Sequence, residues 1–189
     1  ELKMAVAIEE VACAAGWKLK MLVRTKRFYN DSELVMLYKA HLLSFLEYRT
    51  PAIYHATRVL LQKVDKVQSK FLDTVGVDEV QALVHFSLAP LECRRDIAML
   101  GLIHRTVLGK GPPQFQQLFE KTKNGRVIDP RDRYGSGLVQ RSALGLIAVY
   151  NRLPDRCKNV GSVKEFQREL QNILKERAKN NDILWKNTF

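Results

Sequence analysis

Residues 34–75 read as two amphipathic rods placed end to end, and this stretch constrains the fold more than any other. Apolar side chains recur at Leu34, Leu37, Tyr38, Leu42, Phe45 and Leu46, then at Ile53, Ala56, Leu60, Val64, Val67, Phe71 and Val75. Steps of three and four put one apolar line along each helix. Thr50-Pro51 divides the two. Proline disfavours helical dihedrals in the residue before it, so the first helix is expected to stop near Arg49. Proline also suits the first position of a new helix, with Thr50 as its N-cap. Gly76 then ends the second helix in the left-handed conformation. Two such lines need other helices to cover them. The expected fold is therefore all-α, a helical bundle followed by a smaller helical extension, with no central sheet.

The flanking sequence supplies the other helices. Residues 2–28 form one, with Val6, Ala12, Ala15, Leu19, Leu22 and Val23 inward and Gly16 as a weak point or a place of close approach. Asn30 with Glu33 matches a capping box opening the first central helix. Asp78 caps a short helix to about Phe86. Pro90 begins a longer one to Leu108, ended by Gly109 and Gly111-Pro112-Pro113. From Lys121 to Gly137 the pattern is lost, and five Lys or Arg against two Asp mark a basic loop. Leu138–Leu153 reads as a short apolar helix stopping before Pro154. Ser162 with Glu165 matches a capping box for a last helix lined by Val163, Phe166, Leu170, Ile173 and Leu174. These boundaries divide the chain into a bundle over 1–110, a basic linker over 111–137 and a helical extension over 138–189.

Charge narrows the partners. Thirty-one Lys and Arg against twenty Asp and Glu give +11 and a pI near 9.7, a balance that favours a polyanion. Lys18, Lys20, Arg24, Lys26 and Arg27 fall in a stretch, Val11 to Asn30, that holds no acid. Lys20, Arg24 and Arg27 are spaced to share a face, where their mutual repulsion is relieved by an external anion or simply by solvent. Lys63, Lys66 and Lys70 line one flank of the second central helix, diluted by Asp65 and Asp73. Arg94 and Arg95 sit in the first turns of the helix after Pro90. Short helix, tight turn and longer helix over 79–108 also match a helix-turn-helix, although helices meet at short loops in many folds.

No catalytic constellation is legible. The four histidines, His41, His55, His85 and His104, are far apart, with no cysteine or carboxylate at ligand spacing. No pair of carboxylates suggests a two-metal centre, and neither a nucleophile motif nor a phosphate-binding loop occurs. Tyr29, Tyr48 and Tyr134 lie beside basic residues and are candidates for stacking on bases. Cys13, Cys93 and Cys157 are odd in number and match no metal spacing, so buried reduced thiols of a cytosolic or nuclear protein are expected. No apolar run approaches the roughly twenty residues that span a bilayer, and the first residues do not read as a secretory signal. A chain beginning at Glu1 instead of methionine suggests a piece of something longer.

The order of several motifs is more specific than any one of them. Tyr38-Lys39, Leu46-Glu47-Tyr48, Val67-Gln68, Pro90-Leu91 with Arg94-Arg95, and Tyr150 to Pro154 (YNRLP) followed by SVKEF at 162–166 occur in sequence. This series resembles the region C-terminal to the polymerase palm in non-LTR (LINE-type) retrotransposon reverse transcriptases, from about Ala12 to Leu174. Tyr150 stands where that family usually has tryptophan.

The resemblance implies that residues 1–75 are a thumb, a helical bundle that grips the primer–template RNA–DNA duplex. The rest would be a helical extension beyond it. The family's catalytic Asp-Asp pair lies in the palm, and no such pair occurs here. The implied role is thus nucleic-acid binding without polymerisation, within a parent RNA-directed DNA polymerase that would need Mg²⁺ while this part needs no cofactor. The implied partners are RNA, DNA and the palm of the parent chain, with no membrane, in nucleus and cytoplasm. Lys18, Lys20, Arg24, Lys26, Arg27, Lys63, Lys66, Lys70, Arg94 and Arg95 are the candidate contacts. A stand-alone DNA-binding module or a helical protein-interaction scaffold is the alternative.

Overall fold

A computed structural model describes residues 4–116, 119, 126–128 and 137–189. Every regular element among them is a helix, and none is a strand, so the all-α expectation holds. Two compact units divide the chain, Glu1–Arg94 and Arg95–Phe189, with the division inside one helix, Leu91–Val107. No helix of the described residues is long and apolar enough to cross a membrane.

The first unit opens with α1, Met4–Arg24, which buries Ile8, Val11, Ala15 and Leu19. It stops four residues earlier than its charge pattern suggests. Arg27 lies in a separate 3-10 turn, Lys26–Phe28, so the expected Lys20–Arg24–Arg27 stripe is broken at its end. α2, Asp31–Tyr38, opens on the full capping box: Asn30 Oδ1 accepts from Glu33 N, and Glu33 Oε2 accepts from Asn30 N, both at 2.9 Å. Replacing Asn30 with alanine removes one of these two bonds. The substitution is expected to lower stability by about 1 kcal/mol, read as a lower urea midpoint with unchanged m-value.

α2 continues without a break through a π-helical turn, Lys39–Leu43, into α3, Ser44–Tyr48. The wide turn is closed by Ser44 N donating to Lys39 O, five residues back. The expected break at Thr50-Pro51 takes a different form. Thr50 is buried inside a one-turn helix, α4, Thr50–Ile53, and Thr57 is the extended residue from which α5, Arg58–Val75, departs. Ile53 and Ala56 are buried on the same core as Leu61 and Val64, so the apolar line continues across a gap in the helix. Gly76 adopts φ +70° as expected. Val77 N bonds Leu72 O at 3.1 Å and Gly76 N bonds Asp73 O at 3.4 Å, the paired closure of a left-handed cap.

α6, Glu79–Phe86, carries a second capping box on Asp78 and Gln81. The chain then turns through Ser87 in the left-handed region to buried Leu88, Ala89 and Pro90. This turn is held from the core. Tyr38 O–H donates to Gln68 Oε1 at 3.4 Å, Gln68 Nε2 donates to Ala89 O at 3.0 Å, and the Lys39 ammonium donates to Phe86 O. The Tyr38 ring lies flat on Phe71, with centroids 4.2 Å apart. Burial pushes the Tyr38 phenol well above its ordinary range.

α7, Leu91–Val107, leads into the second unit and ends at Gly109 with φ +73°, where Lys110 N bonds Arg105 O. Short helices follow: α8, Pro113–Gln116; α9, Gly137–Gln140; a 3-10 turn, Ala143–Leu146; α10, Ile147–Arg152; and α11, Asp155–Lys158. The single helix expected over Leu138–Leu153 is therefore broken, because Ser142 is extended and caps the next turn through Leu144 N. α12, Val163–Lys179, buries Phe166, Leu170, Leu174 and Ala178. Its expected capping box is not formed, since Ser162 makes no side-chain cap bond. Trp185 docks, 7% exposed.

His104 is the polar centre of this unit. It is fully buried and lies flat against Phe166, with centroids 4.2 Å apart. Nε2 is 3.0 Å from Val160 O and must carry the proton, because a carbonyl only accepts. Nδ1 therefore accepts from the Tyr150 hydroxyl at 3.0 Å. Burial pushes that phenol up to about 12. Asn151 bonds both backbone groups of buried Val127, so one residue of the basic stretch is fixed. The rest of Lys121–Gly137 lies almost entirely outside the described residues, as does Tyr134.

Candidate nucleic-acid interface

The first unit brings four of the predicted cations to one place. Glu9 pairs with Lys63 near the start of both helices, and Lys26 donates to Thr74 O near the end of α5, so α1 and α5 run side by side in the same direction. Between them lies a groove of about 640 Å³ lined by Lys20, Lys63, Lys66 and Lys70, with Val67 and Leu19 on its inner side and Asp73 at one end. The local sequence explains why it stays open. Ala12 and Gly16 keep the α1 wall low, and a Cβ on Gly16 would meet nothing within 4 Å. The glycine is thus not a point of close approach; it leaves space. On α5 the lysines follow one edge of the buried line Val64, Val67, Phe71. From Lys63 to Lys70 the edge covers about 10 Å of helix axis, comparable with three steps of a nucleic-acid strand at about 3.4 Å each.

One groove lysine, Lys63, and the neighbouring Lys26 have partners within the protein. Lys63 holds Glu9, whose carboxyl it keeps below the usual range by its hydrogen bond and its charge. Both side chains are largely exposed, so the pair contributes little and competes weakly with a phosphate. Lys26 satisfies a carbonyl in the last turn of α5, where a cation is favoured. Lys66 and Lys70 are exposed and have no carboxylate partner among the described residues.

The remaining candidates lie elsewhere. Lys18 is on the other side of α1, its ammonium 5.1 Å from the Phe45 ring centre. Arg24 reaches Met21 Sδ at 3.8 Å, and Arg27 lies over Phe28. Arg94 bonds Glu47 Oε1 at 2.5 Å, and Arg95 is only 6% exposed. The two arginines expected to face a duplex do not line the groove. One is tied to a carboxylate and the other is inside, because α7 is apolar on more than one face. Tyr29 and Tyr48 are exposed, as stacking requires, and neither lines the groove.

Sequence reasoning overlooked Glu9, an exposed competitor for Lys63. It also overlooked Trp17 and Met21, 60% and 55% exposed. A helical projection holds that signal, since both point away from the line through Ala15 and Leu19. Cys13 is exposed, contrary to the expectation of buried thiols, whereas Cys93 and Cys157 are buried. Burial raises the Cys157 thiol above its ordinary value. Among the described residues no group of three or more His, Cys, Asp or Glu is placed to hold a metal.

No protein-family model matches the chain, and no curated protein or solved structure matches it.

Proposed function

We propose that this chain is a non-catalytic, nucleic-acid-gripping part of a non-LTR (LINE-type) reverse transcriptase, its first unit holding the primer–template RNA–DNA duplex by phosphate contacts. The observation that carries the reading is the convergence of Lys20, Lys63, Lys66 and Lys70 on the groove between α1 and α5. Residues far apart in sequence meet there as a positive edge that Glu9 and Asp73 offset only in part, which favours an anion in the groove. Side chains of this kind contact backbone oxygens and carry no base code. Grip without readout suits a polymerase that must pass through every sequence. On this reading the acid–metal chemistry belongs to a palm elsewhere in the parent protein, and this part works in nucleus and cytoplasm beside RNA and DNA.

The test is the triple variant Lys20→Ala, Lys66→Ala, Lys70→Ala, titrated against RNA–DNA hybrids of unrelated sequence. Affinity is expected to fall similarly for all of them. The slope of log affinity against log salt should become shallower by about 2 to 3, near one unit for each phosphate that is no longer neutralised. Binding that ignores salt, or one sequence strongly preferred over the others, would rule the reading out. The helix-turn-helix alternative over 79–108 finds no support in the positions of Arg94 and Arg95.

A further inference from the structure

The opposite flank of α1 carries a second groove of different character. Its volume is about 490 Å³, and its walls are Trp17 and Met21 on α1, Tyr29 beyond it, and Leu37 and His41 on α2 and the π turn, with Lys18 at the margin. That volume falls in the range of sites that take a few bulky side chains. Such a surface on an otherwise well-packed unit marks a place of interaction.

The chemistry at the rim selects the occupant. Lys18 stands over Phe45, Lys20 over Trp17 at 5.3 Å, and Arg24 against Met21. None of the three has a carboxylate partner among the described residues, and no acid occurs between Val11 and Asn30. Of the two acids in the first turn of the facing helix, Asp31 and Glu33, the second is engaged in its capping box. An occupant is therefore apolar on its inner side and acidic at its edges. A stacked single strand fits less well. One face of Trp17 is already covered by Lys20 and one face of Phe28 by Arg27, while Leu22, Leu37 and Leu42 offer an aliphatic floor shaped for knobs rather than for flat bases.

We infer that this groove docks an amphipathic helix of a protein partner, with an apolar ridge inserted between Met21 and Leu37 and acidic residues facing Lys18, Lys20 and Arg24. Helix-in-groove recognition of this kind reads anchors spaced i, i+3, i+4 and i+7. Met21 supplies an adaptable contact for them. Lys20 borders both grooves, but the inference does not rest on the nucleic-acid reading, because its anchors Met21 and Leu37 take no part in that reading.

The probe is a designed peptide of about 18 residues, five turns, with leucines at those anchor positions, glutamates on both flanks and no aromatic residue. Trp17 is 60% exposed and Trp185 only 7%, so a blue shift of tryptophan emission in the full chain reports on the groove. A saturable shift is expected, weakened at least about tenfold by Met21→Asp and also weakened by Leu37→Ala on the facing wall. It should be retained in Lys66→Ala/Lys70→Ala. A leucine-matched peptide with lysine flanks should give no shift. The inference is overturned by any of four results: no saturable shift with the acidic peptide, an equal response to the lysine peptide, competition by a single-stranded oligonucleotide, or the same shift on concentrating the protein alone.

Discussion

Phe71→Ala is expected to remove about 3–5 kcal/mol of folding free energy, the range for truncating a buried aromatic ring. Phe71 is 1% exposed and stacks on Tyr38, itself fully buried, so the substitution opens a cavity against a ring that cannot move outward to fill it. The stacked pair adds about 0.5–1.5 kcal/mol beyond the area it buries. Tyr38 also holds Gln68, and Gln68 holds the turn at Ala89. A tilted Tyr38 therefore loosens the connection to α7 as well. Total stabilities of about 5–15 kcal/mol leave little reserve after such a loss. Hydrogen exchange separates the outcome by unit: amides of α1, α2 and α5 should lose protection while those of α12 keep theirs. A change below about 1 kcal/mol would mean that Phe71 is not the centre of this core.

In the second unit the corresponding substitution is His104→Ala, expected to lower stability by about 3–4 kcal/mol, from a cavity together with buried polar groups left unpaired. The ring's loss strands the Tyr150 hydroxyl and Val160 O at once and removes the face on which Phe166 lies. Tyr150→Phe is the milder comparison, at about 1–2 kcal/mol, because only Nδ1 loses its donor. pH adds a check with a definite sign. The Tyr150 phenol is raised from 10.0 to about 12 in the folded chain. Its contribution is therefore complete below pH 10 and is lost as pH rises toward 12, when the unfolded chain ionises first. Tyr150→Phe should flatten that alkaline fall, and an unchanged profile would contradict the assignment.

Caps and apolar lines were the legible part of this sequence. Asn30–Glu33, Asp78, Gly76 and Gly109 act locally, through bonds or dihedrals that one short segment decides, and all four behave as their residue types suggest. Ser162–Glu165 did not, since a serine hydroxyl can turn to other partners and the pattern does not fix its rotamer. Thr50-Pro51 misled for a further reason. Ile53, Ala56 and Leu60 keep helical spacing although the backbone is extended at Thr57, so a line of inward residues cannot reveal that its carrier is interrupted. Among the basic residues, spacing on one helix placed Lys63, Lys66 and Lys70 together. It could not show that Lys20, on another helix, joins them, that Glu9 binds one of them, or that Arg95 is buried. Those facts depend on which helices become neighbours, and charge alone does not encode that.

The wide turn at Lys39–Leu43 bears on how such a chain tolerates changes in length. It takes in one residue more than an ordinary helical turn, so α3 is indexed one position out of step with α2. Deleting one of these five residues would let the helix close normally and leave Leu46 facing inward, because the wide turn already absorbs the roughly 100° of rotation that one residue adds. A single-codon deletion is therefore absorbed within this turn, whereas one elsewhere in α2 or α3 would turn the following inward residues about 100° off the core.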